Sequence, residues 1–379
     1  MDGSDSLSRS SQATRASWIR RSEGQPHLVV LGRPGRLEIV PFDAKSASLS
    51  SSPLVEHEID GVPIGFAVHP SGDSFVCSTT NGCKLFELYG RELDVKLSEK
   101  PIASLENVGR QECLAFSTDG SRFATGAKDG HLRIFEWPSL RILLDEPTAH
   151  KSFRDMDFSL DSEFLASTST DGSARIWKTN DAVPLTTLTR NSDETFECCR
   201  FSKDGTKPFL FCTTKKGGKM LVTVWDISTW KKIGYKSLLR KSISVLSISL
   251  DGKYLALGSH DGDICVVEVK KMEISHWSKK LHLGASISSI EFCPTERVIL
   301  STSTQHGVLV TKLSVPADWK EWQIYLLLLG LFLASAIIFY VFFNNSEYFW
   351  NFPVAREHSL TPEIKGVLSD PHFDEQNVW

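Results

Sequence analysis

The feature that most constrains the fold is a sequence pattern that returns six times between residues 65 and 315. Equivalent apolar positions recur at intervals of 42 to 48 residues, at Val68, Phe116, Phe158, Phe201, Ile248 and Phe292. A repeat of this length is typical of one blade of a β-propeller. The period therefore predicts an all-β ring of similar sheets for most of the chain.

Each copy carries the local signals of three strands joined by tight turns. The first strand alternates apolar and polar residues, and the turn after it is often Asp-Gly, because Gly tolerates a positive φ and Asp can bond its own turn. A second strand of small and β-branched residues leads through another Asp-Gly turn to a third strand. That third strand ends in an aromatic residue, as at Phe135, Trp177 and Trp225. Trp225-Asp226 is the one literal Trp-Asp ending.

We predict a seven-bladed WD-type β-propeller over residues 27–315. Residues 27–42 supply strands of one blade beyond the six visible copies. We expect the N- and C-terminal strands to share one blade, because closure protects strand edges from pairing with other chains. The Asp-Gly pairs could instead mark a metal or phosphate site, but at this period turns are favoured. His150 and His282 loosely match the Gly-His position upstream of a blade.

A second constraint is an uncharged stretch of 20 residues, Ile324 to Phe343. At about 1.5 Å of rise per residue it spans the roughly 30 Å hydrocarbon core of a bilayer. The alternative, a buried core helix, usually shows polar residues on one face or stays shorter. We therefore predict a single transmembrane helix that makes the protein integral to a membrane.

The topology follows from what precedes the span. Residues 1–26 form a Ser-rich start without an apolar signal-peptide core, which we expect to be flexible. The propeller is then expected to stay in the cytosol. All eight cysteines precede the span without disulfide or zinc spacing, as is typical of small core residues in a reduced compartment. Residues 344–379 are predicted to be a lumenal tail, mostly disordered.

The sequence contains no recognisable catalytic motif. It has no phosphate-binding loop with a following lysine, no nucleophile-elbow serine and no paired-histidine zinc motif. We accordingly assign no catalytic, cofactor-binding or metal-binding residue and predict a protein that is not an enzyme. The basic run Lys215-Lys216-Gly217-Gly218-Lys219 is interpreted as a hairpin turn in preference to an anion site. A net charge of −4 gives no argument for nucleic acid as a partner.

Several short motifs resemble the family of ER-anchored WD-repeat proteins that includes the exchange factor of the Sar-type GTPase of COPII coats. The similarity covers roughly residues 16 to 345. The motifs are Ala16-Ser17-Trp18-Ile19, Asn81-Gly82-Cys83-Lys84-Leu85-Phe86, Phe135-Glu136-Trp137-Pro138-Ser139 and Ala149-His150. The resemblance implies an endoplasmic reticulum membrane protein with one span, a cytosolic propeller and a lumenal C-terminus.

One departure from this family concerns the first blade. Exchange-competent members carry a long glycine-rich loop there, with a following asparagine, which organises a potassium ion and reaches the nucleotide site of the GTPase. The equivalent stretch here is short, lacks the asparagine and contains Gly32, Arg33, Gly35 and Arg36. We therefore carry over no residue of the exchange activity.

A plant branch of the family, the phosphate transporter traffic facilitators, resembles this chain in that departure. The Ser-rich start and the Trp319-Lys320-Glu321-Trp322 lead into the span fit it as well. The resemblance implies a non-enzymatic trafficking factor that helps membrane-protein clients, phosphate transporters among them, to leave the endoplasmic reticulum. COPII GTPase or coat components are a second class of partner. The alternatives are an active guanine-nucleotide exchange factor and a general propeller scaffold at another membrane.

Overall fold

The computed structural model describes residues 13–21, 25–90, 94–106, 108–181, 183–315 and 321–344. The chain divides into two units, Met1–Val315 and Pro316–Trp379. In the first unit, seven antiparallel sheets follow one another along the chain. This confirms the seven-bladed propeller.

The first strand of each blade lies innermost, because first strands of successive blades contact one another around the ring. These strands are β1 (Arg15–Ile19), β6 (Pro63–Val68), β10 (Gln111–Phe116), β14 (Phe153–Phe158), β18 (Glu194–Phe201), β22 (Ile243–Ile248) and β26 (Ile287–Phe292). The six equivalent positions of the sequence repeat are the last residues of β6, β10, β14, β18, β22 and β26. The repeat period is therefore the spacing of the inner strands.

The second strand of each blade is the most completely buried. These strands are β2 (Leu28–Arg33), β7 (Ser74–Thr79), β11 (Arg122–Ala127), β15 (Phe164–Ser169), β19 (Phe209–Lys216), β23 (Tyr254–Ser259) and β27 (Val298–Ser303). In β2, β7 and β27 every residue is buried. Small and β-branched residues suit this position, because both faces of the strand pack against neighbouring blades.

The third strands carry the aromatic residues expected from the repeat. They are β3 (Arg36–Asp43), β8 (Gly82–Tyr89), β12 (Leu132–Glu136), β16 (Ala174–Lys178), β20 (Lys219–Asp226), β24 (Ile264–Glu268) and β28 (Gly307–Lys312). Phe135, Trp177 and Trp225 are at most 1% exposed. Trp177 Nε1 donates to Ser167 Oγ at 2.9 Å, and His150 Nε2 lies 2.8 Å from the same oxygen.

The fourth strands form the outer rim of six blades. They are β5 (Val55–Glu58), β9 (Lys96–Pro101), β13 (Arg141–Glu146), β17 (Val183–Thr187), β21 (Lys232–Leu239) and β25 (Glu273–Ser278). A short β4 (Ser48–Leu49) also pairs with the end of β3, and a 3-10 turn spans Ala103–Leu105. Blade 7 contains three described strands, β26, β27 and β28.

Two details of the predicted closure differ from the structure. The propeller was expected to begin at residue 27, but β1 (Arg15–Ile19) is already the inner strand of blade 1 and pairs with β2, so this boundary is wrong. The described ends of the chain also lie in separate blades, with β1 in blade 1 and β28 in blade 7. Residues 1–12, which precede this strand, lie outside the described residues.

The core lies between the sheets, in seven clusters that each join two neighbouring blades. One of them packs Ala13, Trp18 and Val29 of blade 1 against Val298 and Val308 of blade 7. The ring is therefore closed by side-chain packing between its first and last blades. The eight cysteines are all free and buried, as their interpretation as core residues required.

The second unit contains the helix α1 (Glu321–Asn344), which includes the predicted span Ile324–Phe343. It is long and apolar enough to cross a membrane. At about 1.5 Å per residue, its 24 residues extend about 36 Å. Apart from Asn344, the predicted lumenal tail lies outside the described residues.

Candidate functional site

The hairpin between β2 and β3 is the stretch compared above with the exchange loop of similar proteins. Arg33 ends β2 and pairs with Arg36, the first residue of β3, so Pro34 and Gly35 alone form the turn. Proline fixes its own φ, and Gly35 adopts a φ of +77°, which suits the second central position of a type II turn. The connection between β2 and β3 is therefore a two-residue turn.

Two of the four predicted loop residues are arginines held against their own blade. Arg33 Nε lies 3.0 Å from Glu38 Oε1, and both side chains are 5% exposed. Arg36 contacts Glu38 at 3.1 Å and Glu56 at 3.1 Å. These carboxylates lie on β3 and β5 of the same blade, so both arginines are paired within blade 1.

The two glycines have structural reasons of their own. A Cβ at Gly32 would lie 2.8 Å from Pro63 Cβ and 2.9 Å from Phe66 Cζ, so this glycine allows blade 2 to approach blade 1 closely. Gly35 donates its N–H to Gly61 O at 3.0 Å and accepts a bond from Ile59 N at 3.0 Å. The turn is therefore fastened to the segment that leads into blade 2.

A groove of about 500 Å³ lies beside this hairpin, between blades 1 and 7. It is lined by Arg33 and Glu38, by Leu49 of β4 and by Val308 and Val310 of β28, among others. Arg33 Nε and Nη1 are both buried and make no hydrogen bond with the described residues, although Nε lies at ion-pair distance from Glu38. The guanidinium group of Arg33 therefore offers buried donor atoms to the groove.

The contact that closes the ring also involves a partly buried carboxylate. Glu291 Oε2, on β26, accepts a hydrogen bond from Ser17 Oγ at 3.0 Å and another from Trp18 N at 3.0 Å. Burial raises the pKa of Glu291 to about 7, although both bonds favour the charged form. Ala16-Ser17-Trp18-Ile19, quoted above for its resemblance, thus belongs to the strand that completes the ring.

The basic run of blade 5 forms the corresponding hairpin between β19 and β20. Lys216 pairs with Lys219, and the turn residues Gly217 and Gly218 have φ values of +51° and +78°. Two positive φ angles are the signature of a type I′ turn, which glycine adopts without strain. The interpretation as a hairpin turn is confirmed.

The two histidines of the repeat are buried side chains that bond a serine in the blade that follows them. His282 Nε2 lies 2.9 Å from Ser301 Oγ, which repeats the arrangement of His150 and Ser167. Burial lowers the pKa of each histidine to about 4, so both are neutral at physiological pH. Within the described ranges no group of three or more His, Cys, Asp or Glu side chains is placed to hold a metal ion.

Comparison with known proteins agrees with this architecture. A family model described as WD domain, G-beta repeat matches residues 100–136 and 141–178, which cover most of blades 3 and 4. SEC12-like protein 1 of Arabidopsis thaliana is 55% identical over 379 residues, covering 96% of this chain and 95% of that protein. SEC12-like protein 2 of Arabidopsis thaliana is 34% identical over 298 residues, 76% of this chain and 75% of the relative.

The chain belongs to the SEC12-like family. This confirms the resemblance drawn from the short motifs. The family also reaches, at lower similarity, the Guanine nucleotide-exchange factor SEC12 of Mus musculus, 24% identical over 279 residues and 66% of each chain.

Proposed function

We propose that this SEC12-like protein is a non-enzymatic trafficking factor of the endoplasmic reticulum membrane. Its propeller would recognise a cytosolic part of a membrane-protein client and help that client to leave for the plasma membrane. The resemblance to the plant branch nominates phosphate transporters as clients. COPII GTPase or coat components form the second proposed class of partner.

The observation that carries this proposal is the hairpin of blade 1. A loop that enters the nucleotide site of a GTPase has to project beyond its own blade. Here two residues turn the chain, and the flanking Arg33 and Arg36 are bound to Glu38. The groups that would have to reach the GTPase are therefore short or already engaged, which favours recognition over exchange.

The proposed topology places the propeller in the cytosol and the C-terminus in the lumen. The apolar helix α1 after the propeller supports a single span. The eight free, buried cysteines support a reducing compartment for the propeller. A protease digestion of sealed microsomes would test this, because a tag fused after residue 379 should be protected until detergent is added. Digestion of the tag without detergent would show that the C-terminus faces the cytosol, which contradicts the proposed orientation.

The alternative function is guanine-nucleotide exchange on a Sar-type GTPase. The similarity to the mouse protein named as an exchange factor favours it. In that case a surface other than a long glycine-rich loop would have to open the nucleotide site.

GDP release separates the two functions. The full chain, in nanodiscs of neutral lipid, is added in excess to a Sar-type GTPase loaded with fluorescent GDP. We expect release at the spontaneous rate, and a SEC12 exchange factor serves as the positive control. Release well above the spontaneous rate would show exchange activity and would contradict the proposed non-enzymatic function.

Client export tests the positive part of the proposal. In cells lacking this protein, we expect a phosphate transporter to accumulate in the endoplasmic reticulum while an unrelated plasma-membrane protein reaches the surface. Equal surface delivery of both proteins would contradict the proposed role. Retention of both would indicate a general defect of COPII export and support the exchange function.

A further inference from the structure

Positive charge is concentrated in one blade of this propeller. Residues 190–241, which contain blade 5 and its flanks, carry twelve Lys and Arg against five Asp and Glu, whereas the whole chain has a net charge of −4. Residues 190–241 thus have a net charge of +7 (12 − 5), and the rest of the chain has a net charge of −11 (−4 − 7). Such an asymmetry creates a local positive potential that attracts anionic partners.

Part of this charge is compensated within the fold. Glu194 contacts Lys216 at 3.1 Å and Lys232 at 3.3 Å, and Asp263 contacts Lys241 at 2.8 Å. Besides Lys207, which lies in the loop between β18 and β19, five exposed cations of this segment form no side-chain hydrogen bond or ion pair with the described part of the chain. These five residues, here named the basic edge, are Lys215, Lys219, Lys231, Lys236 and Arg240.

The basic edge follows the outermost strand of blade 5. Lys231 precedes β21, Lys236 lies within it and Arg240 follows it. Met220 pairs with Leu239, which places Lys219 of the hairpin beside the end of β21. At about 3.3 Å per residue, an eight-residue strand gives this line of charges a length of about 26 Å.

Apolar side chains and an open strand edge accompany these charges. Ile233 and Tyr235, on β21, are 58% and 67% exposed. Because β21 is the last strand of its sheet among the described residues, its outer backbone groups have no strand partner there. Among the other outer strands, β17 contains no charged residue, β5 contains two glutamates and no Lys or Arg, and in β9 Lys100 is paired with Glu87.

Lysines on an edge strand often serve to prevent pairing with other molecules. That role needs one or two charges on the strand itself. It does not account for the hairpin lysines Lys215 and Lys219, nor for two large exposed apolar side chains between the charges.

We propose that the basic edge binds an acidic, extended polypeptide segment that lies along β21. An extended chain can pair with the open edge through its backbone, place carboxylates against the cations and contact Ile233 and Tyr235. A line of charges along a strand suits such a segment better than a flat membrane surface, whose headgroups cannot use the strand edge. This site is separate from the hairpin of blade 1 and does not depend on the proposed function.

The test uses the full chain in nanodiscs of neutral lipid and a fluorescent twelve-residue peptide of alternating Glu and Thr. We expect saturable binding that weakens by about tenfold when salt is raised from low to physiological strength, because exposed charges are screened. The triple variant K215E/K219E/K236E should lose binding by at least about tenfold. The single variant K236E should give an intermediate loss.

The matched control is K128E/K151E/K270E, which makes the same change in net charge at exposed lysines of other blades. We expect it to keep binding within about twofold of the parent chain, because those lysines lie in blades 3, 4 and 6 and none belongs to β19, β20 or β21, the strands of the basic edge. Equal loss in the control, unchanged binding in K215E/K219E/K236E or equally tight binding of a Lys-Thr peptide would each overturn the proposal.

A second arm separates polypeptide from lipid. Nanodiscs carrying the protein are mixed with phosphatidylcholine vesicles with or without phosphatidylserine. One outcome would contradict the proposal: the anionic vesicles capture the parent protein but not K215E/K219E/K236E, and the acidic peptide does not bind. The ligand of the basic edge would then be an anionic lipid surface and not a polypeptide. GDP release and client export are measured in separate experiments. A result there that contradicts the proposed function would not affect the basic edge, and loss of the basic-edge proposal would not affect the proposed function.

Discussion

The hairpins of blade 1 and blade 5 have the same place and length but opposite surroundings. Each joins the second and third strands by a two-residue turn flanked by basic residues, Arg33 and Arg36 in one and Lys216 and Lys219 in the other. In blade 1 both arginines contact Glu38. In blade 5 Glu194 compensates Lys216, while Lys219 stays unpaired among the described residues. Nearby carboxylates, more than the turn itself, thus decide whether the cations that flank such a hairpin are paired within their own blade.

The largest expected effect comes from removing Glu38 of blade 1. Glu38→Ala leaves the buried guanidinium of Arg33 without its counter-charge, which should lower the free energy of unfolding by about 3–5 kcal/mol. Denaturant unfolding of the full chain, followed by tryptophan fluorescence, measures it. The control Glu56→Ala removes a contact between exposed groups and should cost less than about 1 kcal/mol. Equal costs for the two variants would mean that Arg33 is not held as described.

A smaller effect, with a distinctive pH dependence, is expected at Glu194 of blade 5. Burial opposes its ionisation, but hydrogen bonds from Asn191 N–H, Lys216 and Lys232 outweigh burial and lower its pKa to about 2. Because the pKa is lower in the folded state, this carboxylate stabilises the fold above about pH 4.5 and the contribution disappears as pH falls toward 2.

Glu194→Gln should therefore cost about 2–3 kcal/mol at pH 7 and much less near pH 2. Unfolding of the parent chain and the variant across this range measures the difference. A cost that does not change with pH would show that Glu194 acts through packing rather than charge.

Gly32 of blade 1 lies against the neighbouring blade, whereas Gly234 of blade 5 does not. Gly32→Ala places a Cβ 2.8 Å from Pro63 Cβ, so we expect a loss of about 1–3 kcal/mol from overpacking. Gly234, on β21, has open space around the corresponding position, so Gly234→Ala should be close to neutral. Thermal unfolding of both variants checks this, and equal melting temperatures would argue against the contact between blades 1 and 2.

The smallest effect on stability is expected at the exposed lysines of blade 5. Lys215→Glu with Lys219→Glu should change the free energy of unfolding by less than about 0.5 kcal/mol, because neither side chain has a partner to lose among the described residues. The same double variant should weaken binding of the acidic peptide. A large loss of stability would show that these two lysines stabilise the fold, which would contradict the difference drawn here between the hairpins of blades 1 and 5.

The blades could be predicted from the sequence because their signals are local. Asp-Gly turns, strands of small or β-branched residues and the terminal aromatic residues each act within a few positions. The inner strand β1 was missed for the opposite reason. Arg15–Ile19 is short and has no complete repeat around it, and it is a strand because β2 and blade 7 pack against it.

The candidate site shows the same division. The shortness of the first hairpin could be read from residues 31–37, since a turn of Pro and Gly leaves no room for a long loop. The engagement of Arg33 and Arg36 could not, because Glu56 lies 20 residues away along the chain and approaches Arg36 through the pairing of β3 with β5. The basic edge was hidden for a similar reason, since its residues come from three strands, β19, β20 and β21, and from the residues that flank β21.

The sequence by itself determined the repeat, the number of blades, the aromatic core positions and the apolar span, because each depends on composition and spacing within one blade or one helix. The tertiary structure decided how the ring closes, which carboxylates neutralise the first hairpin and which cations remain free on blade 5. Those properties depend on distances between residues from different strands and blades, and Coulomb interactions and packing act over such distances whatever the separation along the chain.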